Sequence, residues 1–134
     1  MNKRLRKKQL KKIGKYINPS ECWNLDITIC EWIIPRLKEY KNKTMGYPPI
    51  DRKLYAEKKE LKEITFEEWQ NILDEIILGF EQVLYDPFDI ITKKGLNLNN
   101  KSDKEYYYKY CEEIKEKIER GLDLFKYYIQ DLWW

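Results

Sequence analysis

Apolar residues recur at helical intervals along the whole chain, and no stretch alternates in the way that a half-buried strand would. The pattern predicts helices at about 24–43, 52–63, 65–85 and 102–133. The clearest is 65–85, where Thr65 and Glu68 are placed to form a capping box and the apolar side chains fall within an arc of about 140°. The predicted fold is all-α: a three-helix core bundle with a shorter extra helix at 52–63 and a basic N-terminal arm.

The two other long helices carry further positional signals. In 24–43, apolar positions cover more than half of the circumference, which predicts a central helix, and Pro35 is expected to kink it. The helix at 102–133 starts at a second capping box, Ser102 with Glu105. Its Gly121 lies within the apolar stripe, where the missing side chain is expected to permit close contact with another helix.

Charge is distributed unevenly along the 134 residues. The net charge is only +3, but residues 1–15 hold eight basic side chains and no acidic one. The other 119 residues hold 18 bases against 23 acids, a net charge of −5. We therefore assign residues 1–17 to a basic N-terminal arm and 18–134 to a single helical domain.

Two stripes of opposite charge share the same helical spacing. The cationic stripe in the arm consists of Arg4, Lys8, Lys11 and Lys15. The acidic stripe in the last helix consists of Glu112, Glu116, Glu119 and Asp123. The arm has the features of a helix that follows a nucleic-acid backbone, of one that binds a membrane surface or an acidic protein surface, and of a solvated tail. The two stripes are also spaced to pair within one chain or between two copies.

Aromatic residues are more numerous than a core of this size requires, with five Trp and eleven Tyr. Tyr106 to Tyr110 surround the first turns of the last helix, so some of them must be exposed. Tyr106, Tyr108 and Trp134 are therefore candidate anchors of an interface, whereas Trp133 is expected on the core face.

Composition excludes several chemistries. The chain has no histidine, which removes Ser-His-Asp and Cys-His catalysis and any zinc or di-iron site that needs histidine. The three cysteines, Cys22, Cys30 and Cys111, form no metal-binding spacing and are expected to be small buried hydrophobic residues in a reducing cytosol.

Carboxylate pairs are the remaining candidates for metal chemistry. Glu57 with Glu60, Glu113 with Glu116, and Glu116 with Glu119 match the E-x-x-E spacing that binds Mg²⁺ in helical nucleotide pyrophosphohydrolases. Such spacings are common in a chain that is 37% charged, and these residues lie mostly on predicted solvent faces. No catalytic residue, metal ligand or cofactor is therefore assigned.

Targeting signals are not evident. No apolar run approaches the ~18 residues of a membrane span, and no apolar segment follows the basic start as it would in a signal peptide. The sequence predicts a cytoplasmic protein.

Six short motifs along the chain form a recognisable set. They are WNLD-x-TI from Trp23, IPRLK from Ile34, GYPP from Gly46, FEEW-x-x-ILD from Phe66, GLDLF-x-x-Y from Gly121 and LWW from Leu132. Together they resemble a family of small, all-helical bacteriophage and prophage proteins, across blocks 23–49, 65–84 and 118–134. The resemblance implies a phage origin and the cytoplasm of a host cell, but no activity.

These observations favour a non-enzymatic phage-type protein that binds a host or phage macromolecule, foremost a protein, or a second copy of itself. A role in host takeover or in countering host defence fits this class. The first alternative is a nucleic-acid-binding accessory protein that uses residues 1–15. The second is a Mg²⁺-dependent helical nucleotide hydrolase.

Overall fold

Helices and turns account for the regular structure of the computed structural model, which describes residues 2–133 and contains no strand within that range. The helices are α1 (Lys3–Lys12), α2 (Leu25–Lys43), α3 (Arg52–Ala56), α4 (Phe66–Val83), α5 (Asp89–Lys94) and α6 (Lys101–Tyr128). Short 3₁₀ turns follow at Pro19–Cys22 and Ile129–Asp131. The predicted all-α fold is confirmed, and α2 and α4 begin and end within two residues of their predicted bounds.

Helix α4 occupies the middle of the bundle and packs against both α2 and α6. Its start is fixed as predicted, because the hydroxyl of Thr65 accepts a hydrogen bond of 3.1 Å from the Glu68 amide. Trp69, Leu73 and Ile76 on this helix are fully buried. The prediction that the 24–43 helix is central was wrong, because α4 rather than α2 packs against two other long helices.

Two groups of buried side chains make the core. The first joins Cys30, Ile34 and Leu37 of α2 to Ile76 and Phe80 of α4. The second consists of Ile64, Trp69, Leu73 and Tyr128, with the Trp69 and Tyr128 rings 5.3 Å apart. The first group holds α2 on α4, and the second holds the end of α6 on the same helix.

Gly121 lies at the closest approach of two helices, as predicted. A Cβ atom at this position would lie 2.6 Å from the Cα of Gly79 and 2.8 Å from the carbonyl oxygen of Glu75, both on α4. Gly79 is the matching small residue, since its own Cβ would lie 2.7 Å from the Gly121 Cα. The backbones of α4 and α6 therefore touch where neither helix has a side chain.

The helix predicted over 52–63 is much shorter than expected. It ends at Ala56, because Lys58 takes a left-handed conformation, with φ of 56°, that a helix cannot contain. The chain then turns back, and the amide of Asp51 donates to the carbonyl of Lys62 at 2.7 Å. The segment 51–62 is thus a closed loop that contains one short helix, rather than a continuous helix.

Both ends of the last helix also differ from prediction. Asn100, not Ser102, is the N-cap: its side-chain oxygen accepts from the amides of Ser102 and Asp103 at 2.9 and 3.3 Å. At the other end, α6 stops at Tyr128 instead of reaching residue 133. Helix α5, which ends at Gly95 with φ of 61°, was not predicted.

Candidate interaction surfaces

The C-terminal segment is fastened to the end of α2 by Tyr40. The Tyr40 hydroxyl lies 3.1 Å from the carbonyl oxygens of both Asp131 and Trp133, to which it donates. These contacts join residues that are 91 and 93 positions apart, and they hold residues 131–133 against the end of α2.

A second attachment joins the same segment to α3. The Arg52 guanidinium donates to both carboxylate oxygens of Asp131, at 3.1 and 3.0 Å. This hydrogen-bonded pair raises the pKa of Arg52. The Arg52 amide also donates to the Tyr128 hydroxyl at 3.0 Å. A bidentate Arg–carboxylate pair fixes orientation as well as distance, so Asp131 is held in one orientation against the start of α3.

Between these attachments lies an apolar groove, called here the tail groove. It encloses about 660 Å³ and is lined by Tyr40, Lys43, Met45, Gly46, Tyr47, Pro48, Pro49, Asp131 and Trp133. Met45, Tyr47 and Trp133 are 90%, 53% and 74% exposed. Tyr47 stands edge-on to Phe66 with the ring centres 6.3 Å apart. The groove is therefore a concave site with aromatic walls that are accessible from solvent.

A second accessible apolar surface runs along α2 and is called here the outer stripe: Leu25, Ile29, Trp32 and Arg36. The spacings of four, three and four residues place these side chains on one helix face. Leu25, Ile29 and Trp32 are 51%, 48% and 58% exposed, while the opposite face, with Ile34 and Leu37, is buried against α4. Helix α2 thus has two apolar sides, and one of them is open.

Arg36 completes the outer stripe by stacking on its aromatic member. Its guanidinium carbon lies 4.2 Å from the centre of the Trp32 ring, and Nη1 donates to the Trp32 carbonyl at 2.8 Å. Arg36 lies on an apolar side of α2, where a buried guanidinium would need a carboxylate or carbonyl partner. The partner is present, but the residue is exposed.

The cationic stripe of the arm is only partly formed. Arg4, Lys8 and Lys11 lie exposed on α1, but Lys15 lies beyond the helix, which ends at Lys12. Gly14 follows with φ of 70°, a conformation that stops a helix. No residue of α1 is buried, so its cations face solvent.

The two charged stripes do not meet within the chain. Glu112, Glu116, Glu119 and Asp123 are exposed on α6. Two of them have local partners: Glu119 lies 3.9 Å from Lys115, and Asp123 lies 3.9 Å from Lys126. Within residues 2–133, no ion pair joins the acidic stripe to the arm.

The aromatic anchors are found only in part where they were expected. Tyr106 and Tyr108 are exposed, and Tyr107 packs on Phe88 with ring centres 5.9 Å apart. Trp134 lies outside the described residues. Trp133 is mostly exposed, so its predicted place on the core face was wrong: α6 has already ended at Tyr128 and no longer sets its direction.

Within residues 2–133, the cysteine and carboxylate side chains are not grouped as the ligands of a metal site. Cys30 is buried as predicted and Cys111 is half-buried, but Cys22 is exposed because it lies in the 3₁₀ turn before α2, so its predicted burial was wrong. All three thiols are free. Burial, with a smaller contribution from Asp26, raises the pKa of the Cys30 thiol. No group of three or more potential metal ligands occurs in the part of the chain that is described. Glu57, one of the spaced carboxylates, pairs with Lys59 at 2.9 Å.

Neither the tail groove nor the outer stripe was predicted from the sequence. The groove is built from segments at 40–49 and 131–133, and no local pattern indicates that they meet. The outer stripe did leave a signal, since apolar residues cover more of α2 than one packed face requires. No helix among the described residues is long and apolar enough to cross a membrane.

Comparison with family models, with curated proteins and with solved structures finds no match. The likeness to phage proteins therefore stays a prediction, and function is inferred from the surfaces described above.

Proposed function

We propose that this chain is a non-enzymatic, phage-type protein that binds a host or phage protein in the cytoplasm of a bacterial cell, in host takeover or against host defence. The tail groove is the binding site in this proposal. The observation that supports it is the cluster of Met45, Tyr47 and Trp133, largely exposed around one concave surface. Exposed aromatic residues at a pocket are typical energetic centres of protein interfaces.

The construction of the groove favours binding without large rearrangement. Its two walls are held together by the Tyr40 contacts and by the Arg52–Asp131 pair. A site that is already shaped loses less conformational entropy when a partner binds. The groove suits a partner that presents a protruding apolar side chain or a short apolar segment. The reason is that its most exposed lining side chains are Met45, Tyr47 and Trp133.

The proposal is tested by affinity capture from bacterial lysate with mass spectrometry, followed by direct titration of each captured protein. The groove variant is Tyr47→Ser with Trp133→Ser. The matched control is Leu61→Ser with Phe88→Ser, two side chains that are 74% and 62% exposed outside the groove.

We expect a partner that binds the wild type and the control alike, and that binds the groove variant at least about tenfold more weakly, equivalent to about 1.4 kcal/mol. A captured protein that binds all three chains equally would contradict the assignment of the groove.

A second candidate function is nucleic-acid binding through the arm, because the cations of α1 are exposed and have no acidic partner within residues 2–133. Binding of duplex and single-stranded DNA is measured over a range of salt concentrations. Replacement of Arg4, Lys8 and Lys11 by Gln should weaken binding and flatten its salt dependence, since fewer counterions are released. Replacement of Lys93, Lys94 and Lys101 by Gln makes the same charge change elsewhere. If a chain truncated before Asn18 binds as well as the full chain, the arm is not the site.

A further inference from the structure

The outer stripe of α2 differs from the tail groove in shape. It is the convex face of one helix, with the spacing of four, three and four residues that forms the seam of packed helices. Leu25, Ile29 and Trp32 are neighbours on this face and are about half exposed, so they form one contiguous apolar patch of the kind that interaction surfaces present. A surface of this form is complementary to another helix rather than to a protruding loop.

We propose that this surface binds a second copy of the chain, with the two α2 helices antiparallel. A twofold axis between Ile29 and Trp32 places Ile29 of each copy against Trp32 of the other. It also places Leu25 against the aliphatic stem of Arg36 in the second copy. The same four side chains then fill the interface from both sides, as an isologous contact requires.

Charge selects the antiparallel arrangement over the parallel one. Parallel helices in register would bring the two Arg36 guanidinium groups together. Antiparallel helices separate these groups by about 16 Å, the rise of eleven residues, and bring each towards the acidic start of the other α2. The first turn of α2 holds Asp26, which is exposed and has no ion pair within residues 2–133. The helix dipoles also oppose each other favourably in this arrangement.

Self-association does not depend on the function proposed above, because the tail groove and the outer stripe share no residue. Variants of one surface are therefore controls for the other. The Tyr47→Ser chain should form the same dimer as the wild type, even if it has lost every other partner. Trp133 is left unchanged in this control because it lines a neighbouring cavity together with Arg36.

The first test measures the mass of the full chain by sedimentation equilibrium from micromolar to millimolar concentration. We expect a reversible dimer for the wild type and for Leu61→Glu, which places the same charge on an exposed leucine elsewhere. Ile29→Glu should raise the dimer dissociation constant at least tenfold, with circular dichroism and melting unchanged because Ile29 does not pack on α4. A wild-type chain that stays monomeric throughout, or an Ile29→Glu chain that dimerises like the wild type, overturns the proposal.

The second test determines orientation by disulfide cross-linking in a Cys22→Ser background. Leu25→Cys and Arg36→Cys chains are oxidised separately and as a mixture, with the background chain as the control for Cys30 and Cys111. Antiparallel pairing predicts a cross-linked heterodimer in the mixture and little product from either variant alone. Efficient cross-linking of Leu25→Cys chains to one another would overturn the antiparallel arrangement.

Discussion

The seam between α4 and α6 and the outer stripe of α2 are both helical surfaces, but they are completed differently. In the seam, apolar side chains are covered and the helices touch through Gly79 and Gly121. On the outer stripe, Leu25, Ile29 and Trp32 remain about half exposed. The difference teaches that apolar composition alone does not identify a core. A change in the seam should alter folding, whereas a change on the stripe should alter association.

The largest expected contrast is between two aromatic truncations. Phe80→Ala should lower the free energy of unfolding by about 3–5 kcal/mol, because Phe80 is buried and lies against Phe125 with ring centres 5.2 Å apart. Trp32→Ala should change it by no more than about 1 kcal/mol, since it loses mainly the exposed contact with Arg36. Urea unfolding at dilute, monomeric concentration measures both. Equal losses would remove the distinction between the two regions.

The glycine contact supplies the next contrast. Gly121→Ala should destabilise the protein by about 1–3 kcal/mol or more, because the new methyl group meets backbone atoms of α4 that have no freedom to rotate away. Gly46→Ala is the matched control, because a Cβ there has no neighbour within 4 Å. The control should be as stable as the wild type or slightly more so. If Gly121→Ala unfolds at the same urea concentration as Gly46→Ala, the helices are not in backbone contact.

The dependence of folding stability on pH tests the packing around Tyr128. Burial is the main cause that raises its pKa above the ordinary 10.0. The unfolded phenol therefore ionises first, and the stabilising contribution is present below pH 10 and is lost as pH rises through the folded-state pKa. Tyr128→Phe should lose about 1–2 kcal/mol at neutral pH, because the Arg52 amide loses its acceptor.

The Tyr128→Phe chain should also lack this part of the alkaline decline. Tyr106→Phe, at an exposed position, should reproduce the wild-type stability profile across pH. A Tyr128→Phe chain with an unchanged alkaline decline would show that another group causes it.

The smallest perturbation is the chemical labelling of cysteines in the wild-type chain, because no side chain is substituted. Cys22 is exposed and should react with iodoacetamide at the rate of a free thiol. Cys30 faces α4, and its raised pKa leaves less thiolate at a given pH, so it should be labelled only when the bundle opens. Mass spectrometry of timed samples resolves the two sites. Rapid labelling of Cys30 would mean that α2 leaves α4 readily.

Local signals in the sequence predicted much of the fold. Thr65 correctly predicts the start of α4, and the position of Gly121 in an apolar stripe correctly predicts close contact between two helices. Other features depend on distant parts of the chain. The end of α3 depends on the turn at Lys58. The N-cap of α6 is Asn100 rather than Ser102, because the side-chain oxygen of Asn100 accepts hydrogen bonds from two backbone amides.

The candidate sites were harder to predict for the same reason. The charged stripes were identified by spacing, but spacing does not determine whether two stripes meet. Apolar excess on α2 was visible, yet which side stays open depends on where α4 packs. The tail groove needs Tyr40 and Trp133 to come together, and that requires the whole bundle.

The Arg52–Asp131 pair has a consequence for the way the molecule opens. It joins residues 79 positions apart, and the Tyr40 hydroxyl adds a link to the same C-terminal segment. We therefore expect residues 131–133 to detach only together with the start of α3. Backbone amides in these two segments should exchange their hydrogens as one cooperative unit, below the global unfolding free energy. On this expectation, the two walls of the tail groove separate in a single event rather than one after the other.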